Sequence, residues 1–403
     1  MATKYLKSWI WQQPDWPAFR WNAARLAQPL AEARRAQGEL MGMARLLNPD
    51  SDLRAQLEVL TSEGVATSAI EGERFDASAV RSSLARRLGL PGAGLSAPAR
   101  SIEGLVDVLL DATEKLGKPL TQRALASWQA ALFPTGRSGL AKIRVGALRG
   151  TAPMRIVSGP TGRQKVHYEA PPRRGLERQL KVFLDWFNRP PADLDGLVRA
   201  GLSHAWFELI HPFEDGNGRV GRALLDRALA QDEGRSQRLY SLSTRFMAVR
   251  SEYYDALAAL SRGNLDATEW LCWFLPQVAA ACVKSVGTIE RVLQKTRFWM
   301  RHAEAALNER QRKALNVLLD VGPDGFVGGL SNRKYAHLTH TSPATAQRDL
   351  ADLVKRGMLS ADGAGRSVRY ALKSSSEAPQ RNVSEAFEDS LKEHDELYRS
   401  LAK

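Results

Sequence analysis

The chain has 403 residues, 44% of them hydrophobic, a length that points to two or three domains and a composition that excludes disorder as its main state. No run of about 18 apolar residues stands out to cross a bilayer, and Met1 to Trp11 carries Lys4 and Lys7 but no apolar signal core, so the expectation is a soluble, cytoplasmic protein with no membrane partner. The formal charge of +13 favours a nucleic-acid or polyphosphate partner, because clustered Lys and Arg displace counterions from phosphates, but it does not choose between them.

The N-terminal region places Trp9, Trp11, Trp16 and Trp21 among Pro14 and Pro17, ahead of a helix predicted from about Ala23 to Leu47. Proline punctuation before a helix suggests a wrapped arm whose rings fill a core. A second helix is predicted over Asp52 to Gly72, followed by an Arg/Ser/Gly-rich loop from Arg81 to Arg100 and by helical spacing from Ile102 to Ala131. Between Lys142 and Pro172, the residues Val145, Ile156, Val157, Val166 and Tyr168 are interrupted by Gly159-Pro160 and Gly162, which predicts a hairpin over about 154–170 with a loose tip. Helical periodicity returns at Leu176 to Phe187 and continues through two helices on either side of residues 211–222. Cys272 and Cys282 lie ten apart in an apolar helical stretch, with no second Cys or His at metal-ligand spacing, and are read as buried thiols.

Beyond about residue 300, Glu309 to Leu319, Asn332 to Leu338 and Ser342 to Arg356 are spaced as helices, and Met358 to Leu372 alternates about Asp362-Gly363-Ala364-Gly365. This is the order of a winged helix-turn-helix over residues 300–373, with Ser342-Pro343 starting the second helix of the pair. Residues 374–403 are predicted to end in a charged helix with Val383, Phe387, Leu391 and Leu401 along one stripe, a surface that would suit a homodimer.

Residues 211–222 read His-Pro-Phe-Glu-Asp-Gly-Asn-Gly-Arg-Val-Gly-Arg. A residue before proline is pushed out of the helical region, so the preceding helix stops near His211 and holds that imidazole at a helix end. Gly216, Asn217 and Gly218 can take positive φ cheaply, their N–H groups can turn inward, and the next helix points its positive end at the same spot, which makes an anion nest. Arg219 and Arg222 share a face of that helix and can grip further phosphate oxygens, while Asp215 suits a magnesium ion bridging phosphates. A lone His beside an apolar helix, an Asn-Gly turn or two helix arginines is each more often structural; their combination points to nucleotide phosphoryl or nucleotidyl transfer.

The same run matches the Fic signature, His-Pro-Phe-x-Asp/Glu-Gly-Asn-Gly-Arg-x-x-Arg, at every defined position. The chain resembles the Fic family over roughly Leu53 to Val283, and its Trp-rich arm is similar to an N-terminal extension on some members. The resemblance implies a mainly α protein: an arm and helix over 1–50, an all-helical Fic core over about 51–295 with a β-hairpin flap, then the winged helix and tail. It also implies a protein adenylyltransferase that moves AMP from ATP, with Mg2+ as cofactor, to a Ser, Thr or Tyr hydroxyl of a target protein and to itself.

In that family His211 would be the general base, Asp215 would hold magnesium against the α and β phosphates, and Gly216, Asn217 and Gly218 would cradle them. Arg219 and Arg222 would reach the β and γ phosphates, and Phe213 would anchor the loop in the core. The flap strand Val166-His167-Tyr168-Glu169 would pair with an extended segment of the target. Tyr253 and Tyr254, with Leu257 behind, would wall the adenine, core packing being an equal reading; Ser261 stands where many members have an asparagine. Thr67-Ser68-Ala69-Ile70-Glu71-Gly72 matches the family's inhibitory helix motif, so Glu71 would pair with Arg222 and restrain the enzyme.

Two other readings stay open. The winged helix would make the chain a DNA-binding regulator, with Arg348, Lys355, Arg356, Arg366 and Arg369 on or beside the recognition helix and wing and Thr345 and Gln347 at base edges, or else a protein-docking module. Alternatively the Fic core mainly removes AMP, or transfers phosphocholine or phosphate.

Overall fold

The structure is a computed structural model that describes residues 9–90, 99–158, 165–321, 329–363 and 367–373, and it divides into two units, Met1–Leu293 and Gln294–Lys403. Among the described residues it contains fourteen α-helices and three two-stranded ribbons.

In the first unit the arm behaves as its composition predicts. A 3-10 turn at Ile10–Gln12 leads to Trp16 and Phe19, whose rings meet Trp206 edge-on at centroid distances of 6.4 and 5.8 Å. Arg20 pins the arm by donating its N–H to the Leu265 carbonyl (2.8 Å) and accepting from the Ala267 N–H (2.7 Å). Helix α1 (Ala23–Ala44) then starts under Asn22, whose side chain accepts from the N–H groups of Ala24 and Arg25.

Helix α2 (Pro49–Ile70) opens with an Asn48 cap, Pro49 in its first turn, and Asp50 and Asp52 where the helix dipole favours carboxylates. It ends because Gly72 takes φ 85°. The segment predicted as a loop from Arg81 to Arg100 is instead helical at its start. Asp76 caps the Ala79 N–H, and Val80 and Leu84 bury one face of α3 (Ala77–Arg87). Residues 91–98 lie outside the described residues.

The helical spacing from Ile102 to Ala131 resolves into α4 (Arg100–Glu114) and α5 (Gln122–Leu132), parted by a turn containing Gly117 and Pro119. A ribbon too short to leave a period in the sequence follows, β1 (Arg137–Ser138) with β2 (Ala141–Lys142). The predicted hairpin is β3 (Arg155–Ser158) against β4 (Lys165–Glu169), antiparallel, with Ile156 opposite Tyr168 and a register shift after Ile156. Its predicted tip, with Gly159, Pro160 and Gly162, lies outside the described residues.

Next comes α6 (Leu176–Asn188), and then the central pair, α7 (Gly196–Ile210) and α8 (Asn217–Glu233), buried along almost their whole length. Helices α9 (Leu242–Ala248) and α10 (Arg250–Ser261) close over α2. Buried Glu63 of α2 accepts from the Ser241 hydroxyl at 2.7 Å and from the Ser243 N–H at 3.1 Å, fixing α2 against α9.

Helix α11 (Thr268–Arg301) corrects one expectation: an 18-residue window in it reaches a mean hydropathy of 1.2, long and apolar enough by composition to cross a membrane. A core helix passes the same test, and here Trp270, Leu271, Phe274, Leu275, Val278 and Cys282 are buried in the first unit. The Cys282 thiol is pushed up to about 12 by that burial, and both cysteines are free.

In the second unit α12 (Glu309–Val321), α13 (Asn332–Thr339), α14 (Pro343–Lys355) and the hairpin β5 (Leu359–Asp362) with β6 (Arg369–Leu372) surround Leu315, Tyr335, Leu350 and Met358. His340 in the left-handed region (φ 51°) reverses the chain between α13 and α14, and Ser342 caps α14 with Pro343 in its first turn. Asp349 gathers Arg310 (2.8 Å), the Asn308 amide (3.0 Å) and the Tyr335 hydroxyl (3.1 Å), tying the helices together. Ala364, Gly365, Arg366 and the tail from Ser374 lie outside the described residues.

Candidate active site

The site is built on the turn between α7 and α8. His211 closes the last turn of α7 by donating its N–H to Phe207 (3.0 Å), but Pro212 prevents another helical residue, and His211 adopts φ 48° and ψ 63°. A left-handed non-glycine residue costs about 1–2 kcal/mol, so the surroundings must hold it. They do so from several directions. Phe213 is fully buried against Phe207, and the Asn217 amide brackets the Phe213 peptide, accepting from its N–H and donating to its carbonyl, both at 2.9 Å.

The Glu214 carboxylate accepts from the N–H groups of Arg144 (2.8 Å) and Gly150 (3.2 Å), and Gln129 donates to the Asp215 carbonyl (3.3 Å). Arg149 donates its N–H to the Pro212 carbonyl at 2.9 Å. Of the three residues predicted to use positive φ, only Gly216 does (85°), and a Cβ there would stand 2.8 Å from the Phe133 ring; Asn217 and Gly218 are already helical. The Asn217 side chain is therefore a clip for the loop, which leaves its backbone N–H at the opening of α8.

The half-buried His211 ring has Nδ1 3.3 Å from the Glu208 carbonyl oxygen. That oxygen only accepts, which assigns the proton to Nδ1 and leaves the Nε2 lone pair as an acceptor. Burial pushes the imidazole down to about 4; the Glu208 carbonyl opposes this and the Arg149 charge reinforces it. The ring is neutral at neutral pH.

Beside it the N–H groups of Asn217, Gly218 and Arg219 open α8 with no helical partners, at the positive end of the helix dipole. Arg222 is buried, donating from Nε to the Thr67 hydroxyl (2.7 Å) and from Nη2 to the Thr67 carbonyl (2.9 Å) and Glu71 Oε1 (2.7 Å), while its Nη1 has no partner. Burial disfavours its charge, but Glu71 first, with Tyr253 and Glu208, together more than offset that and raise its hold on the proton. A Cβ on Gly218 would land 2.1 Å from Glu71 Oε1 and 3.0 Å from Arg222 Nη1. The Glu71 carboxylate thus rests on the bare first turn of α8, where a phosphate oxygen would go.

Glu73 makes a parallel contact that no sequence motif singles out. Its carboxylate takes Arg219 Nη1 at 2.8 Å, and the Arg219 guanidinium lies 4.8 Å over the Phe133 ring. Behind Arg222, the Glu208 carboxyl is pushed up to about 8 by burial, against the pull of Arg222; its Oε1 has no partner and faces Gly221.

The remaining predicted residues separate. Tyr253 is 1% exposed, stacked on Phe246 at 4.7 Å with its hydroxyl 2.8 Å from His204 Nε2, so it packs in the core; Tyr254 is 41% exposed and donates to the Ile70 carbonyl (3.3 Å). Ser261 is buried and bonds its own helix at Ala258.

In the hairpin, Tyr168 is buried with its hydroxyl on the Leu209 carbonyl (2.5 Å), Val166 is exposed, and Glu169 pairs with Arg155 (2.6 Å). The carbonyls of His167 and Glu169 already accept from Arg262 Nη2 (3.2 Å) and Trp11 Nε1 (2.8 Å). Asp215 accepts from the Gly216 N–H at Oδ1 (2.5 Å) and from the Ser138 hydroxyl at Oδ2. Each oxygen keeps a lone pair, and a single carboxylate beside substrate phosphates fits how magnesium is usually held. No cluster of three or more His, Cys, Asp or Glu that could hold a metal ion by itself occurs among the described residues.

Residues 119–229, which include this whole turn, match the Fic/DOC family. The chain carries a Fic/DOC domain. Residues 9–90 match a separate domain of unknown function, DUF4172, so Thr67, Glu71 and Glu73 reach the Fic domain from a segment with its own family. Protein adenylyltransferase fic-1 of Caenorhabditis elegans is 35% identical over 88 residues, 22% of this chain and 16% of that protein. A probable protein adenylyltransferase of Aquifex aeolicus (strain VF5) is 35% identical over 104 residues, 26% of this chain and 30% of that protein. The chain therefore aligns with less than a third of either relative. A Fic family protein from Desulfovibrio desulfuricans G20 shares the fold at a TM-score of 0.51 and 20% identity, over 89% of this chain and 97% of that one.

Proposed function

We propose that the chain is a cytoplasmic protein adenylyltransferase that transfers AMP from ATP to a hydroxyl side chain of a target protein and to itself. The observation that carries this is an imidazole with a free Nε2 lone pair, beside a helix N-terminus whose N–H groups are unpartnered. The target oxygen attacks the α-phosphorus and its proton passes to His211 Nε2. The bond from that phosphorus to the oxygen bridging to the β-phosphate breaks, and pyrophosphate leaves.

Asn217, Gly218 and Arg219 would offer backbone N–H groups to the phosphates, and Arg219 and Arg222 their guanidinium forks. Asp215 would hold magnesium, which supplies charge neutralisation for the polyphosphate. Tyr254, rather than buried Tyr253, is the tyrosine with a surface to offer the adenine. A target strand adding to β4 would have to displace Trp11 and Arg262 from the His167 and Glu169 carbonyls. Glu71 on Arg222 would restrain the resting enzyme.

Labelled ATP tests the reaction: label at the α position is incorporated and label at the γ position is not. Incorporation of γ label instead would make the chain a phosphotransferase. The pH profile tests the base. Because His211 acts unprotonated and burial holds its imidazole down to about 4 in the free chain, kcat/KM stays level from about pH 7.5 to 5 and falls only as pH approaches 4. An acid limb centred near 6.5 would mean that burial does not lower the ring's proton affinity in the working enzyme.

A second reading concerns the second unit, which we propose to be a DNA-binding winged helix. It is favoured by α13 and α14 meeting at His340 and by Gln347 and Arg348 standing exposed on α14. Arg356 is less available, since it pairs with Asp352 at 2.7 Å. A gel shift should weaken steeply with salt and should be unaffected by His211→Ala. Binding that ignores salt would point to a protein partner.

A further inference from the structure

Arg149 is outside the motif, 62 residues before His211, and only 1% exposed. Its Nε donates to the His211 carbonyl at 2.8 Å, its backbone N–H to the Pro212 carbonyl at 2.9 Å, and its Nη2 to the carbonyl of Pro171, just beyond β4. Its Nη1 is buried with no partner, and no carboxylate pairs with the guanidinium among the described residues. A buried, unpaired charge is expensive unless its N–H groups are satisfied, and here two of its side-chain N–H donors and its backbone N–H go to carbonyls of the motif and of the flap's base.

The geometry also explains why a donor is needed there. At φ 48° His211 ends α7 and its carbonyl lies beyond the helix ladder, and a buried carbonyl without a partner is destabilising. The fork geometry of a guanidinium reaches that carbonyl and the flap's base together; an ammonium offers no such fork.

We infer that Arg149 is a positioning residue for the base: it holds the left-handed His211 peptide, sets the imidazole against Glu208, and ties that setting to the end of the flap. This rests on the reading of His211 as the base for AMP transfer. Arg149 touches no reacting atom in this account. Its removal therefore lowers kcat without weakening ATP binding and lets His211 protonate more readily, since a positive charge leaves the neighbourhood of the ring.

The test uses the full chain in a Glu71→Gly background, with Arg149→Met and Arg149→Lys. Two quantities are read: kcat and KM for ATP, and the His211 titration followed by NMR of labelled histidine, assigned against His211→Ala. For Arg149→Met, kcat falls about tenfold or more, KM for ATP stays within about twofold, and the His211 midpoint rises by roughly half a unit or more. Arg149→Lys keeps the midpoint close to the parent's and loses part of kcat.

The inference is overturned by an unchanged kcat in Arg149→Met, by a rise in KM with kcat intact, which would make Arg149 a nucleotide contact, or by a His211 midpoint identical in both. Should Arg149→Met fail to fold, Arg149→Lys decides: kcat equal to the parent's removes the need for the fork. If no form transfers AMP, the proposed function fails by itself, and the titration still decides whether Arg149 governs the imidazole.

Discussion

His211→Ala lowers the rate of AMP transfer by about 10^3-fold, the usual contribution of a positioned general base. KM for ATP should change little, because the N–H groups of the first turn of α8 and both arginines remain. The fold should also survive. The loop carrying His211 is held by the buried Phe213 ring, the Asn217 bracket and the Glu214 contacts to Arg144 and Gly150, none of which involves the imidazole. Incorporation of α-labelled AMP, read beside Tm, checks both statements; residual transfer within tenfold of the parent removes His211 from the role of base.

Glu71→Gly has the opposite sign. A charged hydrogen bond of the kind between Glu71 and Arg222 is worth about 1.5–3 kcal/mol, and each 1.4 kcal/mol is a factor of ten, so freeing Arg222 should raise self-modification on the order of ten- to a hundredfold. Arg222 stays in place because Thr67 still accepts from its Nε and Nη2. The Glu73 contact to Arg219 also persists, so Glu73→Gln added to Glu71→Gly should raise the rate again. Mass spectrometry after ATP and magnesium reads the result directly: an added AMP in Glu71→Gly, and none once His211→Ala is combined with it. Equal incorporation with and without Glu71 would show that the brake lies elsewhere.

The loop at 211–222 was legible because its constraints are local. Proline after His211, glycine before α8 and two arginines on one helical face act through neighbours in sequence, and their consequences follow from backbone sterics and helix geometry. The contact of Glu71 with Arg222 was legible only through the resemblance of residues 67–72 to the Fic family's inhibitory motif, since the two residues are 151 apart.

What could not be read was carried by tertiary packing. Gln129, Arg144 and Arg149 reach the loop from outside it, and each looks like an ordinary polar residue in its own stretch. Tyr253 and Tyr254 are adjacent and chemically alike, yet helix rotation sends one into the core and the other to the surface. The helix α3 was missed because Arg, Ser and Ala dominate its exposed face, and the decisive signals are a single Asp76 cap and the pair Val80 and Leu84.

Thr67 and Glu71 sit one turn apart on α2 and grasp the same guanidinium, so one helix is both splint and stopper for Arg222. Swinging that helix away would uncover the first turn of α8 and, in the same movement, let the arginine go slack. A productive release must leave Thr67 seated and move only the last turn: the Glu71 side chain rotating outward, or the end of the helix fraying at Gly72. On the proposed reading of Glu71 as a brake, an activator would compete for one carboxylate and would not have to pry two domains apart.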